Sequence, residues 1–91
     1  MSDTADDAQV RLSADEAIVL FELLSRWLED DDAARPGSDC FASPAECAVL
    51  AGVLAILETQ LVAPFRDDYS ETLEKARAQL AQGWNGTGLR A

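Results

Sequence analysis

Enzyme chemistry needs a nucleophile with a base, a proton donor or a ligand set, and few side chains here can supply one. The chain contains two cysteines, Cys40 and Cys47, and no histidine. Ser–His and Cys–His nucleophilic pairs are therefore excluded in their usual form. Two thiols without an imidazole also make a poor zinc site. Adjacent carboxylates occur at Asp15–Glu16 and Asp67–Asp68, but each pair stands at a helix start, where capping and the macrodipole account for it. Neither a glycine-rich phosphate loop nor a dinucleotide fingerprint is present. The expectation is a non-enzymatic protein, with no catalytic, cofactor-binding or metal-ligating residue assigned.

Asp30-Asp31-Asp32 is the acidic run that capping does not explain. It closes a helix, where negative charge opposes the carbonyl end of the macrodipole. A calcium loop would need acidic residues at alternating positions, a central glycine and a distal glutamate, and Asp30 to Ala42 lacks that register. Two readings stand: a solvated helix end, or a patch that meets a partner. Seventeen acidic against seven basic residues give a net charge of -10. That balance argues against direct binding to nucleic acid or to an anionic membrane, and favours a basic protein as partner. On this reading the partner-binding candidates are Glu29, Asp30, Asp31, Asp32 and Asp39, with Trp27 and Phe41 as apolar anchors.

Three capped, periodic segments must position these residues. Ser13-Ala14-Asp15-Glu16 is a capping box, with Leu12 set to staple against Ala17. From about 13 to 31, Ala17, Leu20, Phe21, Leu24, Trp27 and Leu28 share one broad face flanked by Ile18 and Leu23. Ser43-Pro44-Ala45-Glu46 opens a second helix, expected over about 43–62 with Pro64 as its limit. Asp68-Tyr69-Ser70-Glu71 opens a third over about 68–82, where Tyr69, Leu73, Ala76 and Leu80 make a narrow stripe and Gly83 is a C-cap candidate. Trp84 is placed to fold back over the last turn. The only long connector, residues 33–42, carries the turn sequence Arg35-Pro36-Gly37-Ser38-Asp39 and one large apolar residue, Phe41. These elements spell an all-α, three-helix domain over residues 13–84, with a solvated acidic arm at 1–12 and a Gly-rich tail at 85–91.

The second helix is the apolar one. Cys47 to Leu57 runs eleven residues without a polar side chain, well short of the roughly 20 that a membrane span requires. Leu50, Leu54, Leu57 and Leu61 form one stripe with Cys47; Val49, Val53 and Ile56 form a second; Ala45, Ala48, Gly52 and Ala55 form a third of small residues. A helix apolar all round should be buried all round, so this rod is expected at the centre with the other two helices covering it. The small stripe is the side left over. Gly52 costs about 1 kcal/mol relative to Ala in a helix interior, which suggests close approach by another backbone. Either the first helix nestles there, or Ala45, Ala48, Gly52 and Ala55 pack across the two-fold axis of a homodimer.

The opening Leu12 to Leu24, with the later steps Ala45-Glu46, Val49-Leu50 and Leu57-Glu58, resembles a group of small acidic all-helical bacterial proteins. The resemblance covers most of Leu12 to Leu80 through caps and core positions, and implies the fold but no activity. In size, charge and helicity the chain is also similar to immunity proteins that neutralise basic nuclease toxins. That profile implies an inhibitor-like module steered toward a cationic partner. The alternative is a homo-oligomeric accessory or scaffold subunit assembled through the apolar helix. The N-terminus lacks signal-peptide regions, so a cytoplasmic location is expected, with both cysteines as thiols.

Overall fold

A computed structural model of the chain describes residues 6–62 and 66–84. Pro64 and Phe65, the first five residues of the arm and the tail 85–91 lie outside the described residues. The fold is all-α and has three helices: α1, Ala14–Glu29; α2, Pro44–Gln60; and α3, Tyr69–Ala81. A short 3₁₀ turn, Ser38–Cys40, interrupts the α1–α2 connector.

Local chemistry explains the boundaries. At the start of α1 the Ser13 amide donates to Glu16 Oε1 at 2.8 Å, and the Glu16 amide donates to Ser13 Oγ at 3.1 Å, closing the capping box. The start of α2 uses the same residue types differently. Ser43 Oγ accepts from the Ala45 amide at 3.0 Å, and Glu46 Oε1 accepts from the Ala42 amide at 3.0 Å. At α3 the expected side-chain cap is absent: Asp68 makes no capping hydrogen bond, and only its carbonyl engages, accepting from Thr72 at 3.0 Å. Gly83 does not adopt the left-handed conformation of a glycine cap. Trp84 is 63% exposed and does not cover the last turn.

The expectation that α2 lies at the centre is overturned. α1 packs against both other helices, and no comparable packing joins α2 to α3. One apolar cluster joins α1 to α2, with Ala17 and Leu24 buried against Leu54 and Leu57, and with Leu12, Leu20, Phe21, Leu50, Val53 and Leu61 packed around them. A separate cluster joins α1 to α3 through Ile18, Leu73 and Ala76, flanked by Val19 and Tyr69. The physical reason lies in side-chain size. Burial stabilises in proportion to apolar area removed from water, and the leucine stripe of α2 offers that area on one face only. Its alanine and glycine side offers little. α1 carries large residues in two directions, because Leu24 enters one cluster and Ile18 the other. Nor is α2 buried all round: besides its small stripe, Val49 is 65% and Ile56 56% exposed, because α1 packs on the Leu54–Leu57 face and no other helix packs comparably on α2.

Candidate protein-binding surface

The α1–α2 connector determines what the C-terminal end of α1 faces. Negative charge at that end is offset by Arg35, whose guanidinium donates to the carbonyl of Asp30 at 3.4 Å and to that of Asp31 at 3.3 Å. A cation at the last carbonyls is the favourable arrangement for a helix dipole. Asp30 also accepts from the Asp32 amide at 3.0 Å, which turns the chain away from the helix axis. The 3₁₀ turn follows, closed by the Cys40 amide on Gly37 at 3.0 Å and the Phe41 amide on Ser38 at 3.2 Å. It delivers Phe41 beside the first turn of α2.

The result is an open apolar groove between the end of α1, the connector and the start of α2. One part encloses about 490 Å³ and is lined by Trp27, Leu28, Arg35, Pro36, Phe41, Pro44, Cys47 and Leu50, among others. A neighbouring concavity of about 590 Å³ shares Trp27, Pro36, Phe41 and Leu50 and reaches Cys40, Glu46 and Val49. Apolar groups dominate the lining, with one cysteine in each part. A concave apolar surface with a few polar groups at its margin has the form of a binding site.

The structure brings Trp27 and Phe41 together, fourteen positions apart in sequence. Asp30, Asp31 and Asp32 are exposed and adjoin the groove through Arg35. Glu29 is exposed and accepts from Ser25 Oγ at 3.2 Å. Asp39 is also exposed, with its carboxylate folded over Gly37, where an added Cβ would lie 2.8 Å from Asp39 Oδ1. Neither Glu29 nor Asp39 lines the groove. Sequence reading missed Arg35, Pro36 and Leu50 as lining residues. The signal for Arg35 was a basic residue a few positions beyond a helix end.

Ala45, Ala48, Gly52 and Ala55 are all exposed. A Cβ built on Gly52 meets nothing within 4 Å, so α1 does not nestle against this stripe, and that alternative is withdrawn. Val49 and Ile56 are exposed beside it and belong to the same face. Val49 also borders the groove, so the groove and the α2 face form one continuous apolar surface.

Both cysteines are free thiols, Cys40 exposed and Cys47 half-buried. Among the described residues no group of three or more Cys, Asp or Glu side chains converges as a metal site, and no helix is long and apolar enough to cross a membrane. The groups whose proton affinity is visibly shifted lie elsewhere, on α3. Burial raises the Tyr69 phenol, and the Glu22 carboxylate adds to the rise against an opposing effect of Arg77. Arg77 is held above its ordinary range, chiefly by its hydrogen bond to Glu74. Burial in the first case and ion pairing in the second account for these shifts without a catalytic role. Comparison of the chain with family models, curated proteins and solved structures returns no match.

Proposed function

We propose that the protein is a non-enzymatic, acidic protein-binding module that engages a basic protein surface in the manner of an inhibitor or immunity protein. The supporting observation is the meeting of Trp27 and Phe41 in an open apolar groove next to the exposed run Asp30–Asp32. Aromatic anchors in a concave site supply affinity, and charges at the rim supply steering and partner choice. Arg35 lines the groove, but its guanidinium is directed to the carbonyls of Asp30 and Asp31 just past α1, so the rim remains acidic toward an incoming cation.

The test is a tagged capture from the native host at low salt, followed by a high-salt wash and mass measurement of the complex. The expected result is one basic protein in fixed ratio, released by salt and lost with Asp30→Lys/Asp31→Lys/Asp32→Lys. Retention of the same partner by that triple variant would sink the reading.

A second reading, a homo-oligomeric accessory subunit, draws on the uncovered α2 face and the open space over Gly52. It expects twice the chain mass in light scattering without any partner, and a single-chain mass rules it out.

A further inference from the structure

The continuity of the groove with the α2 face bears on how a basic partner would bind, an inference that rests on the acidic-module reading. Three ways of holding a polypeptide are common: adding a strand to a sheet edge, gripping an extended proline-rich segment, and laying a helix in a groove. The described residues contain no strand and offer no sheet edge. What they offer is one face of the seventeen-residue α2, a helix about 25 Å long at 1.5 Å per residue. Along it Ala45, Ala48, Val49, Gly52, Ala55 and Ile56 repeat at three- and four-residue spacing, every one exposed. Val49 and Ile56 stand as ridges on either side of Gly52, where no side chain fills the gap. Ridges about a central gap are what a second helix packs into.

Charge decides which helix. Between Glu46 and Glu58 the α2 sequence has no ionisable side chain except Cys47, so burying this face strips water from no fixed charge. Beyond it lie Glu46 at the groove margin and Asp30–Asp32 across the connector. A second copy of the chain would bring its own net charge of -10 and be repelled. A helix with Lys and Arg on its outer positions would be attracted. We infer that the surface formed by the α2 face and the Trp27–Phe41 groove receives a cationic amphipathic helix of a partner protein, lying along α2 across Gly52 with one large apolar side chain in the groove.

The probe is a displayed library of randomised peptides about seventeen residues long, matched to α2 and selected on the intact chain. The expected enriched peptides carry apolar residues at i, i+3, i+4 and i+7 and Lys or Arg elsewhere. Scrambling them, or introducing Gly52→Leu or Ile56→Glu, is expected to weaken binding about tenfold or more. Circular dichroism of both variants should stay helical, because each site is exposed. Basic peptides without the pattern, indifferent to Gly52→Leu and lost only with charge reversal at Asp30–Asp32, would overturn the helix mode and leave the acidic module standing. Enrichment of neutral or acidic peptides would overturn both. Absence of enrichment overturns the inference, and a doubled solution mass abolished by Gly52→Leu would then assign the α2 face to a second copy.

Discussion

Glu22 and Arg77 lie fifty-five residues apart in sequence and meet at 2.8 Å, making the only side-chain hydrogen bond between two helices among the described residues. Glu22 Oε2 also accepts from Arg26 Nη1 at 2.6 Å, and Arg77 turns its other terminal nitrogen to Glu74 Oε1 at 2.8 Å. One half-buried carboxylate thus ties two turns of α1 to α3, the same two helices that the small cluster of Ile18, Leu73 and Ala76 joins.

Removing that carboxylate should loosen α3. The pairs are partly exposed, so solvent screens them and each contributes less than about 1 kcal/mol. Glu22→Ala is expected to cost about 1 kcal/mol in all, a fall in Tm of about 4–8 °C for a domain of this size. The difference should shrink in high salt. Thermal melts of both proteins at low and high salt give the answer, and a salt-independent difference would show that packing, not charge, is responsible.

Tyr69 makes the same interface sensitive to alkali. Its folded-state affinity for the proton is raised above the ordinary value of 10.0. A group raised in this way contributes stability that is fully present below pH 10.0 and lost as pH climbs through the higher folded value. The chain contains one tyrosine, so phenolate absorbance reports this residue alone. Its midpoint should lie above that of the unfolded chain, and Tyr69→Phe should remove the corresponding part of the alkaline destabilisation.

Leu24, 1% exposed, is the largest fully buried side chain and sits in the α1–α2 cluster. Leu24→Ala should cost about 2–5 kcal/mol through lost transfer energy and a residual cavity. Seven buried apolar residues make up the described core, so the loss should take much of the total stability. Leu50→Ala, at a half-buried groove position, should cost clearly less. Urea unfolding of the two variants decides the order.

The caps separate in the same way. Ser13→Ala removes the hydroxyl that accepts from the Glu16 amide, one half of a reciprocal pair, and should cost about 0.5–2 kcal/mol. Asp68→Ala removes a side chain with no capping bond, so only its charge at the helix start is lost, worth about 0.3 kcal/mol. Equal losses in chemical denaturation would contradict this account.

Helix number, class and the α1 cap were legible because each depends on residues within four positions of one another. Ser13 and Glu16 suffice for the cap, and Leu20, Leu24 and Leu28 suffice for the face. The order of packing was not legible. Apolar content singled out α2 as the centre, but content counts Ala48 and Leu54 alike, whereas burial rewards area and direction. The groove was half legible. Trp27 and Phe41 stood out by type, while their convergence depends on the turn built by Arg35, Pro36 and the 3₁₀ segment. The acidic run looks misplaced in the sequence because its counterweight, Arg35, stands four to five residues on, beyond the helix.

The two apolar clusters share no residue, and α1 contributes to both. Such a fold has a spine and two wings, and each wing can open while the other stays shut. In hydrogen exchange, α1 amides should be the slowest, with α2 and α3 protected to different degrees and responding separately to mutation. A partner laid on α2 would then slow exchange in one wing and leave the other unchanged, so occupancy of the surface could be read amide by amide from α2, with α3 as the internal reference.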